Sequence, residues 1–367
     1  MEKTDAQKLK EIAERFETEG KVISAEPLGA GFINDTFVVK TEGDAPNYIL
    51  QRKNKTIFPD VPAMMKNIVA VTNHIREKVE NSGGNADKEV LRVIMTSDGL
   101  PWYQSSDGEF WAMCEFIENA VTYDRADTPA LAYKGGQGIG RFQSQLADFE
   151  GELTETIKGF HNIRYRFEQW DESLKRDAAG RVKDLEKEIS WIESRREEML
   201  NFWEKVEQGI IPRRVTHNDT KISNILFNES GEVMCVIDLD TVMSSTSLND
   251  FGDAIRSYAN TAAEDEPDTD RVALDLDMFK AYTEGYLSER RLTLTDSEID
   301  HLAFAARYLT FEQALRFLMD YIDGDTYYKI GYPEHNLVRT RAQNKLLESM
   351  EEHYEEMVEI VNKLARQ

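Results

Sequence analysis

The stretch Arg214-Val-Thr-His-Asn-Asp-Thr-Lys-Ile-Ser-Asn-Ile-Leu-Phe227, with Val236-Ile-Asp-Leu-Asp240 shortly after it, decides how this sequence is read. It sets Asp219, Asn224 and Asp238 among β-branched and apolar residues. An aspartate just after a histidine, with an asparagine five residues on, is the spacing of a phosphoryl-transfer loop. There the aspartate accepts the proton of the attacking hydroxyl, and the asparagine holds a Mg²⁺ that neutralises phosphate oxygens. Asp238 closes the next apolar run, Val233-Met-Cys-Val-Ile237, where a second metal-binding aspartate belongs. With Lys221 two residues after Asp219, it favours the catalytic reading over a polar turn between two hairpin strands.

Working outward, 367 residues are enough for two lobes sharing a cleft. A hydrophobic content of 41% supplies the core of a globular, soluble protein. The net charge of −24 argues against nucleic acid and anionic membrane as partners, since a polyanion is repelled by the summed field. A phosphoryl-transfer enzyme this acidic needs local positive charge, which Mg²⁺ brings to its carboxylates. Most of the acidity reads simply as solubility. Cys114 and Cys235 sit in apolar runs as small hydrophobes, with no disulfide or zinc spacing. The polar start, Met1-Glu-Lys-Thr-Asp5, and the lack of any run of membrane-span length predict a cytoplasmic protein.

In the first third, Leu9, Ile12, Ala13 and Phe16 predict an amphipathic helix over 5–19. Strands are expected at 22–28, 36–40 and 48–52, joined by tight turns into an antiparallel sheet. The Gly29-Ala-Gly31 turn between the first two suits a cover over nucleotide phosphates, although two glycines in a hairpin are ordinary. A helix over 60–79 and strands over 90–95 and 110–117 follow. The boundary falls here, giving an N-terminal lobe of residues 1–117 and a helical lobe of 118–367. In a kinase-like arrangement Glu115 to Ile117 is the hinge whose backbone meets the adenine.

Beyond it, helices are expected over 131–149, 182–206, 276–287, 296–318 and 338–364. The charges of 182–206 read as a solvated face. Asp250 and Asp253 read as braces for the start of another helix, with Asp250 also able to fix the catalytic loop. The Asp250-Phe-Gly252 triplet lies too far past Asn224 to be the metal-binding one.

Glycine hairpin, helix, hinge, His217-x-Asp219, Asn224 and Asp238, in that order, resemble the aminoglycoside phosphotransferase superfamily of the protein-kinase-like fold. Tyr48-Ile-Leu-Gln51, Thr56-Ile-Phe-Pro-Asp60, Thr216-His-Asn-Asp-Thr-Lys221, Ile237-Asp-Leu-Asp-Thr241, Arg316-Phe-Leu318 and Tyr332-Pro-Glu-His-Asn-Leu-Val-Arg-Thr-Arg341 look like the bacterial N-acetylhexosamine 1-kinases. The resemblance covers nearly the whole chain. It implies an α+β, two-lobed fold: a small antiparallel-sheet N-lobe, a larger helical C-lobe and an active site between them. It implies ATP-dependent phosphorylation of the anomeric hydroxyl of N-acetylglucosamine or N-acetylgalactosamine, with Mg²⁺ and no protein partner. Asp219 would be the base and Lys221 would touch the transferring phosphate or pair with a loop carboxylate. Asn34, Arg316 and Tyr327 fall at sugar-contacting positions, although Arg316 by itself reads as a helix-surface ion pair. Gln51 replaces the superfamily's strand lysine, with Arg52 and Lys53 behind it. Phe32 stands where a histidine near the sugar is expected, which bears on sugar preference.

Two other readings stay open. One is a related kinase of another sugar, an amino alcohol or an aminoglycoside, against which Arg316 argues by repelling a polycation. The other is a catalytically dead binding module, motivated by the absent strand lysine and opposed by the intact Asp219, Asn224 and Asp238.

Overall fold

The computed structural model describes residues 6–29 and 33–366. The chain divides into two compact units. The first comprises Met1–Val121, Asp148–Lys158 and Leu226–Met243; the second comprises Thr122–Ala147, Gly159–Ile225 and Ser244–Gln367.

The first unit opens with α1 (Ala6–Ala13), β1 (Val22–Pro27), β2 (Asp35–Thr41) and β3 (Tyr48–Lys53). After α2 (Val61–Asn81) and α3 (Ala86–Glu89) come β4 (Val93–Ile94), β5 (Tyr103–Gln104) and β6 (Phe110–Glu115). The strands form one antiparallel sheet in the order β1-β2-β3-β6-β4, with β5 also on β6. The register sets Thr36 opposite Gln51 and Gln51 opposite Ala112. Alternation turns Phe37, Val39, Tyr48, Leu50, Trp111 and Met113 into a core shared with Leu9, Ile12 and Phe16.

Two elements are shorter than their patterns predict. The first helix stops at Ala13, because Phe16 pairs with Thr96 as an isolated bridge instead. The strand expected over 90–95 shrinks to Val93–Ile94, since α3, capped by Asn85, occupies the approach. Asp60 caps α2 by accepting from the Ala63 amide, with Pro62 in the first turn.

The second unit is mostly helical. It holds α4 (Pro129–Gln145), α5 (Ile163–Arg176), α6 (Glu186–Glu193), α7 (Arg196–Glu207), β7 (Arg214–Thr216), α8 (Ser247–Tyr258), α9 (Leu276–Arg290), α10 (Asp296–Ile322), α11 (His335–Glu352) and α12 (Tyr354–Ala365). The charged run over 182–206 is mainly two helices broken at Ser194–Arg195; Lys183, Glu186, Lys187 and Glu197 are exposed, while other charges form ion pairs. Arg195 binds Glu351 at 2.7 Å, and Arg196 pairs with Asp171. The terminal helix likewise breaks at His353. No helix among the described residues is long and apolar enough to cross a membrane.

Helix α4 carries Gly135, Gly136, Gly138 and Gly140, each costing about 1 kcal/mol of helix propensity against alanine. Packing explains Gly135, Gly136 and Gly140. A Cβ at Gly136 would sit 2.2 Å from the Tyr282 carbonyl, and one at Gly285 of α9 would sit 1.9 Å from the Tyr133 carbonyl. The two helices touch backbone to backbone, so neither tolerates a side chain there. Gly285→Ala is therefore expected to destabilise the protein by about 3 kcal/mol or more, read by urea denaturation. A midpoint matching wild type would show that the helices do not meet this closely.

Candidate active site

In the second unit, β7 delivers the chain into a loop whose backbone turns through the left-handed region at Asn218, φ 65°. The turn aims consecutive amides inward, where no strand can pair them. Carboxylates from α8 do so instead. Asp250, fully buried, accepts from the His217 amide at 2.9 Å and the Asn218 amide at 2.7 Å, and from Gln143 Nε2 at 2.7 Å. Asp253 accepts from the Thr220 amide at 2.8 Å and from Arg256 at 3.0 Å. Burial pushes the Asp250 carboxyl up, with His217 and the two amides pulling the other way. Burial also opposes charge at Asp253, but Arg256, His161 and Lys221 win and hold it below its ordinary range.

These two aspartates do not cap α8. Thr246 does, accepting from the Leu248 amide. Their reach back to a loop some thirty residues earlier leaves little local signature in the sequence. With Asp250 committed to loop amides, the Asp250-Phe-Gly252 triplet is structural.

On this support, Asp219 is half-buried. Its amide donates to His217 Nδ1 at 3.2 Å. Asn224 Nδ2 donates to the Asp219 carbonyl at 2.9 Å and to its carboxylate at 3.2 Å. Lys221 Nζ lies 2.9 Å from the other Asp219 oxygen, so it pairs with a loop carboxylate. The structure thus brings together Asp219, Lys221 and Asn224. With the Asn224 NH₂ spent on Asp219, the amide oxygen is the atom it has for a cation.

Arg316 and Tyr327 also meet in this unit. The guanidinium lies 3.5 Å from the Tyr327 hydroxyl and stands over the rings of Phe160, Tyr327 and Tyr328 at 5.3, 5.7 and 5.6 Å. Its carboxylate partner is Glu312, one helical turn earlier, at 3.8 Å. Glu312 is fully buried and also takes Arg166 at 3.2 Å and His161 Nδ1 at 3.0 Å. Burial opposes its charge, yet Arg316, His161 and Arg166 hold the carboxyl well below its ordinary range. Arg316 is therefore more than a helix-surface ion pair. The Glu312/Arg316 spacing was legible as a helical pair; His161 carried no sequence signal.

In the first unit, Asp238 is exposed and adopts a left-handed conformation, φ 59°. Asp240 is buried. Its carboxylate takes Lys53 Nζ at 2.7 Å on one oxygen and Asn34 Nδ2 at 2.7 Å on the other. Lys53 also donates to Gln51 Oε1 at 2.6 Å. Gln51 and Lys53 point to one face of β3, as residues two apart on a strand must. The cation missing at Gln51 is thus present two residues on, buried against an aspartate that sequence reasoning passed over. Asn34 has its amide oxygen on the Asn54 amide at 3.0 Å, so both of its ends are tied to protein.

Gly29 is left-handed, φ 64°, with open space where a Cβ would be. Gly31 and Phe32 lie outside the described residues. The Glu115 amide donates to the Arg92 carbonyl at 2.9 Å, its carboxylate pairs with Arg92 at 3.0 Å, and Ile117 is buried. No group of three or more His, Cys, Asp or Glu able to hold a metal occurs among the described residues.

Residues 24–290 match the model of a family described as "Phosphotransferase enzyme family". Among solved structures, the fold is similar to a microcompartment-associated aminopropanol kinase, with TM-score 0.61 and 15% identity over 96% of this chain and 98% of that one. An aminoglycoside phosphotransferase from Alicyclobacillus acidocaldarius gives 0.58 at 13% identity, covering 97% and 98%. A spectinomycin phosphotransferase, determined with ADP and spectinomycin, gives 0.53 at 14% identity over 100% of each chain. The α+β architecture, an antiparallel-sheet unit followed by a helical one, is theirs too.

Replacing Asp250 by Asn turns an NH₂ toward a loop amide. Asp250→Asn is expected to cost about 2 kcal/mol or more in denaturant unfolding, the scale of a buried charged acceptor lost. Glu312 supports a pH test. Its folded-state pKa is depressed, so its contribution is complete above the ordinary value of 4.5 and is lost as pH falls from there toward the folded value. The stability gap between wild type and Glu312→Gln should be widest at neutral pH and narrow steadily below 4.5. A gap that is flat with pH would contradict the ion-pair role.

Proposed function

The chain belongs to the phosphotransferase enzyme family, and from that premise we propose that it is an ATP-dependent small-molecule kinase. Its acceptor is the anomeric hydroxyl of an N-acetylhexosamine, N-acetylglucosamine or N-acetylgalactosamine, and its product is the sugar 1-phosphate. The observation that carries the choice of acceptor is Arg316. Two guanidinium groups share the single Glu312 carboxylate, leaving surplus positive charge beside the rings of Phe160, Tyr327 and Tyr328. Such a setting disfavours the cationic acceptors of amino-alcohol and aminoglycoside kinases and suits a neutral polyol ring. Network contacts tie Arg316 to the Asp219 loop, since Glu312 holds Arg316 and His161 touches both Glu312 and the Asn218 carbonyl.

In the proposed reaction, the acceptor oxygen bonds to the γ-phosphorus of ATP as the β–γ bridge breaks and ADP leaves with the bonding electrons. Asp219 takes the hydroxyl proton, and Lys221 meets charge developing on the transferring phosphoryl group. Asn224, through its amide oxygen, and Asp238, through its exposed carboxylate, would hold Mg²⁺. When bound, the ion neutralises phosphate oxygens; Mg²⁺ suits such ligands because it keeps water and phosphate in its shell. Asp240, already neutralised by Lys53, is a poorer ligand than Asp238. On the nucleotide side we assign Gly29, Gly31, Gln51, Glu115 and Ile117. On the sugar side we assign Phe32, Asn34, Arg316 and Tyr327, with Phe32 tuning the preference between the two sugars.

ADP release should be measured with N-acetylglucosamine, N-acetylgalactosamine, choline, an aminopropanol and an aminoglycoside. Turnover is expected with the acetylated sugars and not with the amines; the reverse pattern would overturn the acceptor assignment. Asp219→Asn is expected to lower kcat by about a hundredfold to ten-thousandfold while nucleotide still binds. Near-normal turnover would remove Asp219 as the base.

A further inference from the structure

The segment Gly159-Phe-His-Asn162 makes a sharp turn into α5. Two of its four residues are left-handed, Gly159 at φ 64° and His161 at φ 56°. For histidine this conformation carries strain, and it persists only where the surroundings over-determine it. They do here. The His161 carbonyl accepts from the Tyr308 hydroxyl at 2.8 Å, and that hydroxyl accepts from the Ile163 amide at 3.2 Å. The ring packs on Phe160, centroids 4.3 Å apart, and the residue is 3% exposed.

What this strain positions is the imidazole. Nδ1 lies 3.0 Å from Glu312, and Nε2 lies 3.3 Å from the carbonyl oxygen of Asn218. Both neighbours are acceptors, so both ring nitrogens are called on to donate. The Asn218 carbonyl and the Asp219 amide belong to one peptide plane. His161 meets the oxygen of that plane, and His217 Nδ1 accepts from its N–H at 3.2 Å. The peptide leading into Asp219 is therefore gripped on both edges by imidazoles from separate parts of the chain. Turning that plane swings the Asp219 Cα–Cβ bond and moves the carboxylate away from an acceptor hydroxyl.

We propose that His161 is a positioning residue for the catalytic base, and that Glu312 aims it while also holding Arg316. Through Glu312, the group facing the acceptor and the group orienting Asp219 share one carboxylate, so substrate side and base side are set together. The proposal rests on the reading of Asp219 as the base. It adds a function for a buried histidine some sixty residues before the loop it serves.

The test uses His161→Gly and His161→Asn, since both residues accept a left-handed backbone and neither supplies the ring. With N-acetylglucosamine and ATP, kcat is expected to fall on the order of a hundredfold, the scale set by misplacing a reacting group by about an ångström. The KM for ATP should stay within about twofold, because His161 is proposed to act through the base alone. Added imidazole should restore part of the lost kcat in the glycine variant, which simple destabilisation would not allow. A kcat near wild type, or a loss that imidazole leaves untouched, would overturn the proposal. Amide hydrogen exchange across residues 214–224 supplies a readout independent of acceptor. Exchange there should quicken in both variants while the remainder of the chain keeps its protection. Unchanged exchange overturns the proposal even if the sugar assignment stands. Quickened exchange in a protein that ignores acetylated sugars would sink only that assignment.

Discussion

Two buried carboxylates on one helix, Asp250 and Asp253, carry the constraint on which this structure depends. A loop that turns through a left-handed residue at Asn218 points its amides into the protein, and each buried amide left unpaired would cost about 1–3 kcal/mol. Helix α8 supplies the acceptors, so the loop is only as well placed as α8. That helix is in turn set against α10 by Gly252, whose missing side chain lets the Ala305 carbonyl approach; a Cβ would sit 2.2 Å from it. Helix α10 begins with a capping box in which Glu298 and Thr295 satisfy each other's backbone amides. The same Glu298 takes Arg214, at the start of β7 where the chain enters the loop, at 3.0 Å. The entry and the body of the loop are thus pinned to adjacent parts of one helical layer.

The distribution of charge follows from the same logic. A protein with net charge −24 has no shortage of carboxylates, yet those that matter are buried with cations: Asp240 with Lys53, Asp253 with Arg256, Glu312 with Arg166 and Arg316. Such pairs are weak evidence for stability, because desolvating both ions offsets much of their attraction. What they supply is geometry, since breaking one leaves an uncompensated charge that the interior tolerates poorly. Asp238 and Asp219, by contrast, keep their carboxylates partly in solvent. The buried acids hold backbone and cations in place, while Asp219 and Asp238 keep contact with water.

Much of the fold was legible because it rests on short-range regularities. Alternation marked β1 to β3 and β6, apolar spacing marked α2 and α10, and the interval from Asp219 to Asn224 singled out the loop. The failures share a physical cause. Helix breaks at Ser194–Arg195 and His353 carry neither proline nor glycine, and ion pairs such as Arg195 with Glu351 continue across them. The four glycines of α4 argue locally against a helix, and Gly136 and Gly140 make sense only beside α9. Helix α5 was within reach, since Ile163, Phe167 and Trp170 recur at helical spacing.

By itself, the sequence determined the residue types of the loop, the α+β order of elements and the acidic character of the chain, because these depend on composition and on neighbours within a few positions. Only the tertiary structure decided that Asp250 braces the loop rather than caps a helix and that Lys53 answers Asp240. It alone brought His161 to the peptide before Asp219, and Glu312 to His161. These partners stand some thirty to almost two hundred residues apart along the chain. A carboxylate's role is set by which donors the fold brings within 3 Å of it, and no local pattern encodes that.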